Sequence, residues 1–270
     1  MTTINPEDHP RPEAPSSVLA LLVRAGVIEL LRRREFSVLL ILMGLFGLGV
    51  LITRIVGIEN AATATFLKNL GMSLAFALTQ LLTVIHSARQ FPDELETRTL
   101  HPLLAKPISR GQYLLGKWLA SCVAGVVTLL SLFALAYFPV PELEEFSRLK
   151  LVQVLLLQVM AVGMAAALAQ LASLLMPKAL ATAVVLLTLF GSGPILNLLR
   201  NYADGAGYGQ VVRWVTSYIP SLQPMDLLLS YTNGLPAEGP AMFLLRLAYP
   251  VSFIFLSLVL SRVLLERRPL

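Results

Sequence analysis

Six apolar runs constrain this chain more than anything else in it. They lie at about 36–57, 66–87, 113–138, 151–176, 179–199 and 243–262, and none carries a charge in its central part. Each is close to the roughly 20 residues that cross a bilayer as a helix. Backbone polar groups in hydrocarbon must be satisfied internally, so runs of this length that cross a membrane do so as helices. Hydrophobic residues make up 56% of the chain and charged residues 14%, against about 45–50% and about 25% in soluble domains. The expected fold class is all-α: a polytopic membrane protein with six transmembrane helices, forming one membrane domain over residues 17–270. Residues 1–16 are polar and proline-rich and read as a disordered cytoplasmic N-terminus.

The segments around the runs complete this picture. Residues 17–34 are too short and interrupted to span and suit an interfacial helix, closed by the membrane anchors Arg32, Arg33 and Arg34. Gly44, Gly47 and Gly49 offer places for close helix approach in the first span. In the fourth span Ala161, Ala165, Ala169 and Ser173 recur every fourth residue, which puts small side chains on one face for a neighbouring helix. Gly191, Gly193 and Pro194 are expected to break or bend the fifth span. The outer segment 201–240 is cut by Pro220 and Pro224 and reads as short interfacial helices with Trp214, Tyr218 and Tyr231 at the membrane surface. With both termini cytoplasmic, fourteen of the 21 Lys and Arg residues fall on the inner side, as the positive-inside rule requires of an even number of spans.

The segment 89–112 with its continuation to Lys117, RQFPDELETRTLHPLLAKPISRGQYLLGK, is the punctuated polar interruption. Pro92 suits a first helical position, with Asp93, Glu94 and Glu96 in the positive first turn behind it. A short helix is expected to start there, with Leu95, Leu100, Leu103 and Leu104 on its apolar side, and to stop before Pro107. Ser109 and Gln112 have capping-box spacing for the next helix. The segment therefore reads as an ordered cytoplasmic helix between the second and third spans.

Several chemistries are disfavoured. The net charge of +5 is accounted for by membrane anchoring, and no basic stripe interleaved with aromatics points to nucleic acid. Uncharged span centres argue against ion-gradient coupling, which needs an intramembrane charge and its partner. GQYLLGK at 111–117 has phosphate-loop spacing, but Trp118 stands where a magnesium-binding Ser or Thr is required. His9, His86 and His101 stand far apart without further ligands, and the single Cys122 cannot form a disulfide within the chain. Gln80, Gln153, Gln158 and Gln170, at membrane depth, either line a path or bond helix to helix.

The stretch ELETRTLHPLLAKPISRGQYLLGK resembles the cytoplasmic segment of type-2 ABC transporter permeases, especially the branch associated with multi-copper enzyme maturation. The matching elements are Glu94 and Glu96, Thr99 and Leu100, Leu103 and Leu104, Pro107 to Arg110, and Gly116 with Lys117; Arg98 replaces a glycine common in that family. The resemblance implies a permease half of an exporter in the cell (inner) membrane, paired with a second permease chain as homodimer or heterodimer. Asp93, Glu94, Glu96, Arg98, Thr99, Leu100, His101, Leu103 and Leu104 would couple it to a separate ABC ATPase subunit. Pro107, Ser109, Arg110, Gly116 and Lys117 would end the coupling segment and start the third span. No cofactor is then expected on this chain, ATP and magnesium being bound by the ATPase partner, and no catalytic or metal residues are expected. A membrane anchor or assembly scaffold without transport is the alternative.

Overall fold

The computed structural model describes residues 24–29, 32–57, 60–96, 110–140, 147–205, 209–210, 212 and 218–267. Among them there is no strand. The helices, in order, are α1 (Arg34–Ile55), α2 (Ala61–Glu96), α3 (Arg110–Tyr137), α4 (Arg148–Leu175), α5 (Lys178–Leu186), α6 (Ser192–Gly205), α7 (Leu228–Thr232) and α8 (Pro240–Arg267). A π-helical turn, Leu187–Gly191, joins α5 to α6. α1, α2, α3, α4, the α5–α6 unit and α8 provide six helices long and apolar enough to cross a membrane. The end of the bundle where α2 finishes and α3 starts is termed basal, and the opposite end distal.

The bundle is built around α4. Ala161 through Ala167 are all buried, nearly two full turns, so no side of α4 is open there. Small side chains make this possible. A Cβ on Gly125 of α3 would lie 2.5 Å from Val162 Cγ1, and one on Gly163 would lie 3.3 Å from Ile254 Cδ1 of α8. Polar side chains add bonds at these close approaches: Ser87 Oγ of α2 donates to the Ala166 carbonyl at 2.8 Å, and Trp118 Nε1 of α3 to the Gly163 carbonyl at 3.0 Å. Ala161, Ala165 and Ala169 thus belong to the core of this chain. By contrast α1 exposes Val38, Ile41, Leu42, Leu45, Leu48 and Leu51, a face suited to lipid and unsuited to water.

Of the three glycines of α1, only Gly47 sits in a tight contact, where a Cβ would meet the Leu135 carbonyl oxygen at 3.3 Å; nothing lies within 4 Å at Gly44 or Gly49. The second helix departs further from the sequence expectation. α2 runs unbroken through Pro92 to Glu96, so no new helix begins at Pro92. At 1.5 Å per residue its 36 residues extend about 54 Å, well beyond a hydrocarbon core of about 30 Å. Pro92 removes only the N–H that would have bonded to Ala88, and buried Phe91 fixes the last turn against α3, α4 and α8. Residues 89–96 are therefore a continuation of the second span.

The distal segment also differs. Tyr231 is buried in the main core, whereas Tyr218 is exposed and Trp214 falls outside the described residues. Segment 218–239 is tied down from two sides. Tyr249 of α8 accepts the Ser221 N–H at 3.0 Å and donates to the Ile219 carbonyl at 3.1 Å, and Gln153 of α4 forms two bonds with the Glu238 backbone. Distal Lys68 is fully buried with its ammonium 4.2 Å above the Tyr137 ring.

Gly125→Ala must displace Val162 or Thr83, two β-branched residues without a flexible end. It should lose about 1–3 kcal/mol, read as a fall of a few degrees in the thermal unfolding midpoint in detergent. Gly44→Ala, with open space at its Cβ, should leave the midpoint unchanged or slightly raised.

Candidate functional site at the basal end

The basal site is assembled from the ends of helices that are distant in sequence. Three residues in the last turns of α2 each tie it to something different. Arg89 donates to Glu35 Oε1 of α1 at 2.8 Å, and Asp93 Oδ1 accepts from Lys178 Nζ of α5 at 3.0 Å. Between them, Phe91 meets Tyr113 of α3 edge to face, with ring centroids 5.9 Å apart. Leu114, Leu174 and Leu265 close an apolar cluster around this aromatic pair, joining α3, α4 and α8 to it.

Two further bonds use backbone carbonyls. Arg110, the first residue of α3, donates through Nη1 to the carbonyls of Leu265 at 2.9 Å and Glu266 at 3.3 Å. These belong to the last turn of α8, whose carbonyls have no partner within the helix, and a guanidinium there also suits the negative end of the helix dipole. Gln170 Nε2 of α4 donates to the Leu114 carbonyl at 3.1 Å. The flanks of the 97–109 connection are therefore anchored to all the other membrane-crossing helices.

The placement of the acidic residues reverses the electrostatic expectation. Asp93, Glu94 and Glu96 lie in the last turns of α2, near its negative end, and not in the positive first turn of a new helix. Lys178 is mismatched in the opposite sense, a cation in the first turn of α5. The Asp93–Lys178 pair offsets both mismatches at once. Both side chains are 42% exposed, so the pair adds only about 0.2–1 kcal/mol of stability and acts mainly as a positional tether.

The other sequence-derived positions fall as follows. Glu94 and Glu96 have helical backbone, and their side chains lie outside the described part of the structure. Arg98, Thr99, Leu100, His101, Leu103, Leu104, Pro107 and Ser109 lie outside the described residues. Gly116 is buried in α3, and Lys117 has its ammonium 5.9 Å from the Tyr113 ring centroid. Arg32 and Arg34 are exposed where the chain enters α1, and Arg33 pairs with Glu29. In the preceding helical residues 24–29, a Cβ on Gly26 would lie 2.8 Å from the Ala120 Cβ, so this segment packs on α3. Phe91, Tyr113, Lys178 and Leu265 were not singled out from sequence as parts of the site. Only Lys178 carried a local signal, being a cation at a helix start that calls for a nearby carboxylate.

Arg110→Gln should release the last turn of α8. Loss of about 1 kcal/mol of bonding there corresponds to roughly fivefold faster local amide exchange. Hydrogen–deuterium exchange confined to residues 262–267, with the centre of α4 unchanged, is the expected pattern.

A family model described as ABC-2 family transporter protein matches residues 58–263, from the α1–α2 turn to the last turns of α8. No curated protein matches the chain.

Proposed function

The chain belongs to the ABC-2 family of transporter proteins, and from that premise we propose that it is the permease half of an ATP-driven exporter whose basal end receives a separate ATPase subunit. Membership makes it a multi-pass membrane subunit of an ABC transporter and not itself a catalyst. The direction of transport, the mode of coupling and the partners are our reading.

One observation carries that reading: both flanks of the 97–109 connection are anchored in the bundle, Phe91 and Asp93 on one side and Arg110 and Tyr113 on the other. A push on a loosely tethered loop would be lost in local motion. Between two anchored helix ends, it is delivered to α2 and α3 and through them to α4. The coupling element in this reading is the end of α2 together with residues 97–109. Asp93, Glu94 and Glu96 fall in the last turns of α2, at the negative end of its helix dipole, an arrangement that favours an approaching cationic surface. Rigid displacement of packed helices would then open and close the path through the membrane.

In this reading the basal end faces the cytoplasm, which the Lys and Arg bias supports, and the protein sits in the cell (inner) membrane. ATP and magnesium are bound by the partner, and two permease chains pair, as homodimer or heterodimer. The resemblance of the stretch from Glu94 to Lys117 supports, within this reading, the branch associated with multi-copper enzyme maturation.

The test is co-expression with an ABC ATPase encoded beside this chain, purification in detergent, and measurement of ATP turnover. Stable co-purification with turnover above that of the free ATPase is expected. Replacing Glu94, Glu96 and Arg98 together should remove the stimulation and weaken the association at least tenfold. Association without any effect on turnover would instead mark a scaffold, and unchanged stimulation in the triple variant would remove these residues from the coupling role.

A further inference from the structure

The four glutamines at membrane depth divide into two kinds. Gln153 forms two bonds to the Glu238 backbone, both at 2.9 Å, and Gln170 Nε2 is bonded to the Leu114 carbonyl. Gln80 is different. It is 1% exposed, and among the described residues neither its amide nitrogen nor its amide oxygen has a partner. Such a group costs free energy that an apolar side chain of similar shape would not, and a ligand amide or hydroxyl would offset that cost.

A place for one adjoins it. Gln80 lines a cavity of about 520 Å³ bounded by α2, α4, the π turn with the start of α6, and residues 222–228. That volume lies within the range of small-molecule sites, about 300–1,000 Å³. Gln158 and Asn197 add polar groups to the wall, and Phe76, Leu189 and Met225 supply apolar surface. Among the described residues that line it none is cationic, and the charged one, Asp226, is exposed with a carboxylate oxygen already accepting the Leu228 N–H at 2.9 Å. An anion would therefore be desolvated here without compensation, whereas an uncharged polar group would not.

The backbone around the cavity is irregular. The π turn gives way to α geometry at Ser192, whose N–H bonds the Thr188 carbonyl, and Pro194 in the next turn has no N–H to give. The Leu222 N–H bonds the Leu189 carbonyl at 3.4 Å, and Ser192 Oγ donates to the Pro220 carbonyl at 3.1 Å. The broken fifth span and the distal segment thus form one wall of the cavity.

We propose that this cavity binds an uncharged molecule bearing an amide or hydroxyl group, which exchanges hydrogen bonds with the Gln80 carboxamide while its apolar part lies against Phe76, Leu189 and Met225. As a statement about cargo, this rests on the permease reading above; as a binding site, it stands on the geometry alone.

The probe is benzophenone-4-carboxamide, with benzophenone-4-carboxylate as an anionic twin of nearly the same shape. Each is photolysed with the purified full chain in detergent, and labelled peptides are quantified by mass spectrometry. Saturable labelling by the carboxamide at the peptides carrying Phe76 or Met225 is expected, with the carboxylate at least tenfold weaker. Gln80→Leu should weaken carboxamide labelling at least tenfold without lowering the thermal midpoint, because the atoms removed have no partner. Ala77→Phe, which fills the cavity and leaves Gln80 in place, should abolish it. Displacement by a short-chain ceramide would assign the amide to a membrane lipid, and displacement only by a cyclic dipeptide to a water-borne molecule. Equal labelling by both probes, labelling unmoved by both variants, or labelling confined to the exposed face of α8 would overturn the proposal. No ATPase is present, so failure here leaves the pairing experiment intact, and failure of pairing leaves this result standing.

Discussion

Close packing on α4 is the constraint on which the rest of the bundle depends. Inside a bilayer, lipid tails are as apolar as leucine, so helices gain little from hiding apolar side chains from one another. What remains is van der Waals contact and hydrogen bonding at short range, and both need small residues at the crossing points. The run from Ala161 to Ala167 and the glycines at 125 and 163 supply these. With the backbones this near, Ser87 and Trp118 can reach carbonyls of α4 directly. Larger residues along this run would separate the helices and lose both kinds of contact together.

A second constraint follows from the first. Backbone groups at membrane depth are satisfied within the helix or by protein packed beside it. In the α5–α6 unit Pro194 has no N–H to give, and the Leu222 N–H of the distal segment bonds the Leu189 carbonyl nearby. With the bonds of Ser192 and Tyr249 it holds residues 219–222 against the bundle. The distal segment is thus structural and at the same time a wall of the cavity.

The number and order of the spanning helices were legible because run length and charge exclusion are properties of each segment alone. Pro92 was misread because its local signal, a proline followed by carboxylates, describes a helix start equally well as a helix interior. The difference lies in Phe91, whose burial against Tyr113, Leu174 and Leu265 depends on residues up to 174 positions away. The Asp93–Lys178 pair crosses 85 positions and was equally out of reach, apart from the dipole mismatch at Lys178. The glutamines show the same limit. Gln80 and Gln170 are indistinguishable as sequence, and only the packed structure shows that Gln170 bonds through its amide nitrogen while both polar atoms of Gln80 have no partner among the described residues. In the fourth span the alanine spacing was readable as a packing face, yet its neighbours, α2, α3 and α8 of the same chain, were not.

The basal site and the cavity share one continuous element. Gln80 and Phe91 both lie on α2, eleven residues apart, which at 1.5 Å per residue is about 16 Å along the axis. α2 is clamped at Phe91 and Asp93 and packed against α4 at Ser87, so its basal end and Gln80 belong to one held helix. The far wall of the cavity is held by different tethers, Tyr249 and Arg246 of α8, the latter donating to the Pro224 carbonyl at 2.7 Å. Both walls are tied into the same bundle, since Asp93 also holds α5 and Phe91 also meets Leu265 of α8. On the coupling reading, an unbroken α2 with Pro92 tolerated inside it is the element that joins the basal end to the wall of the cavity.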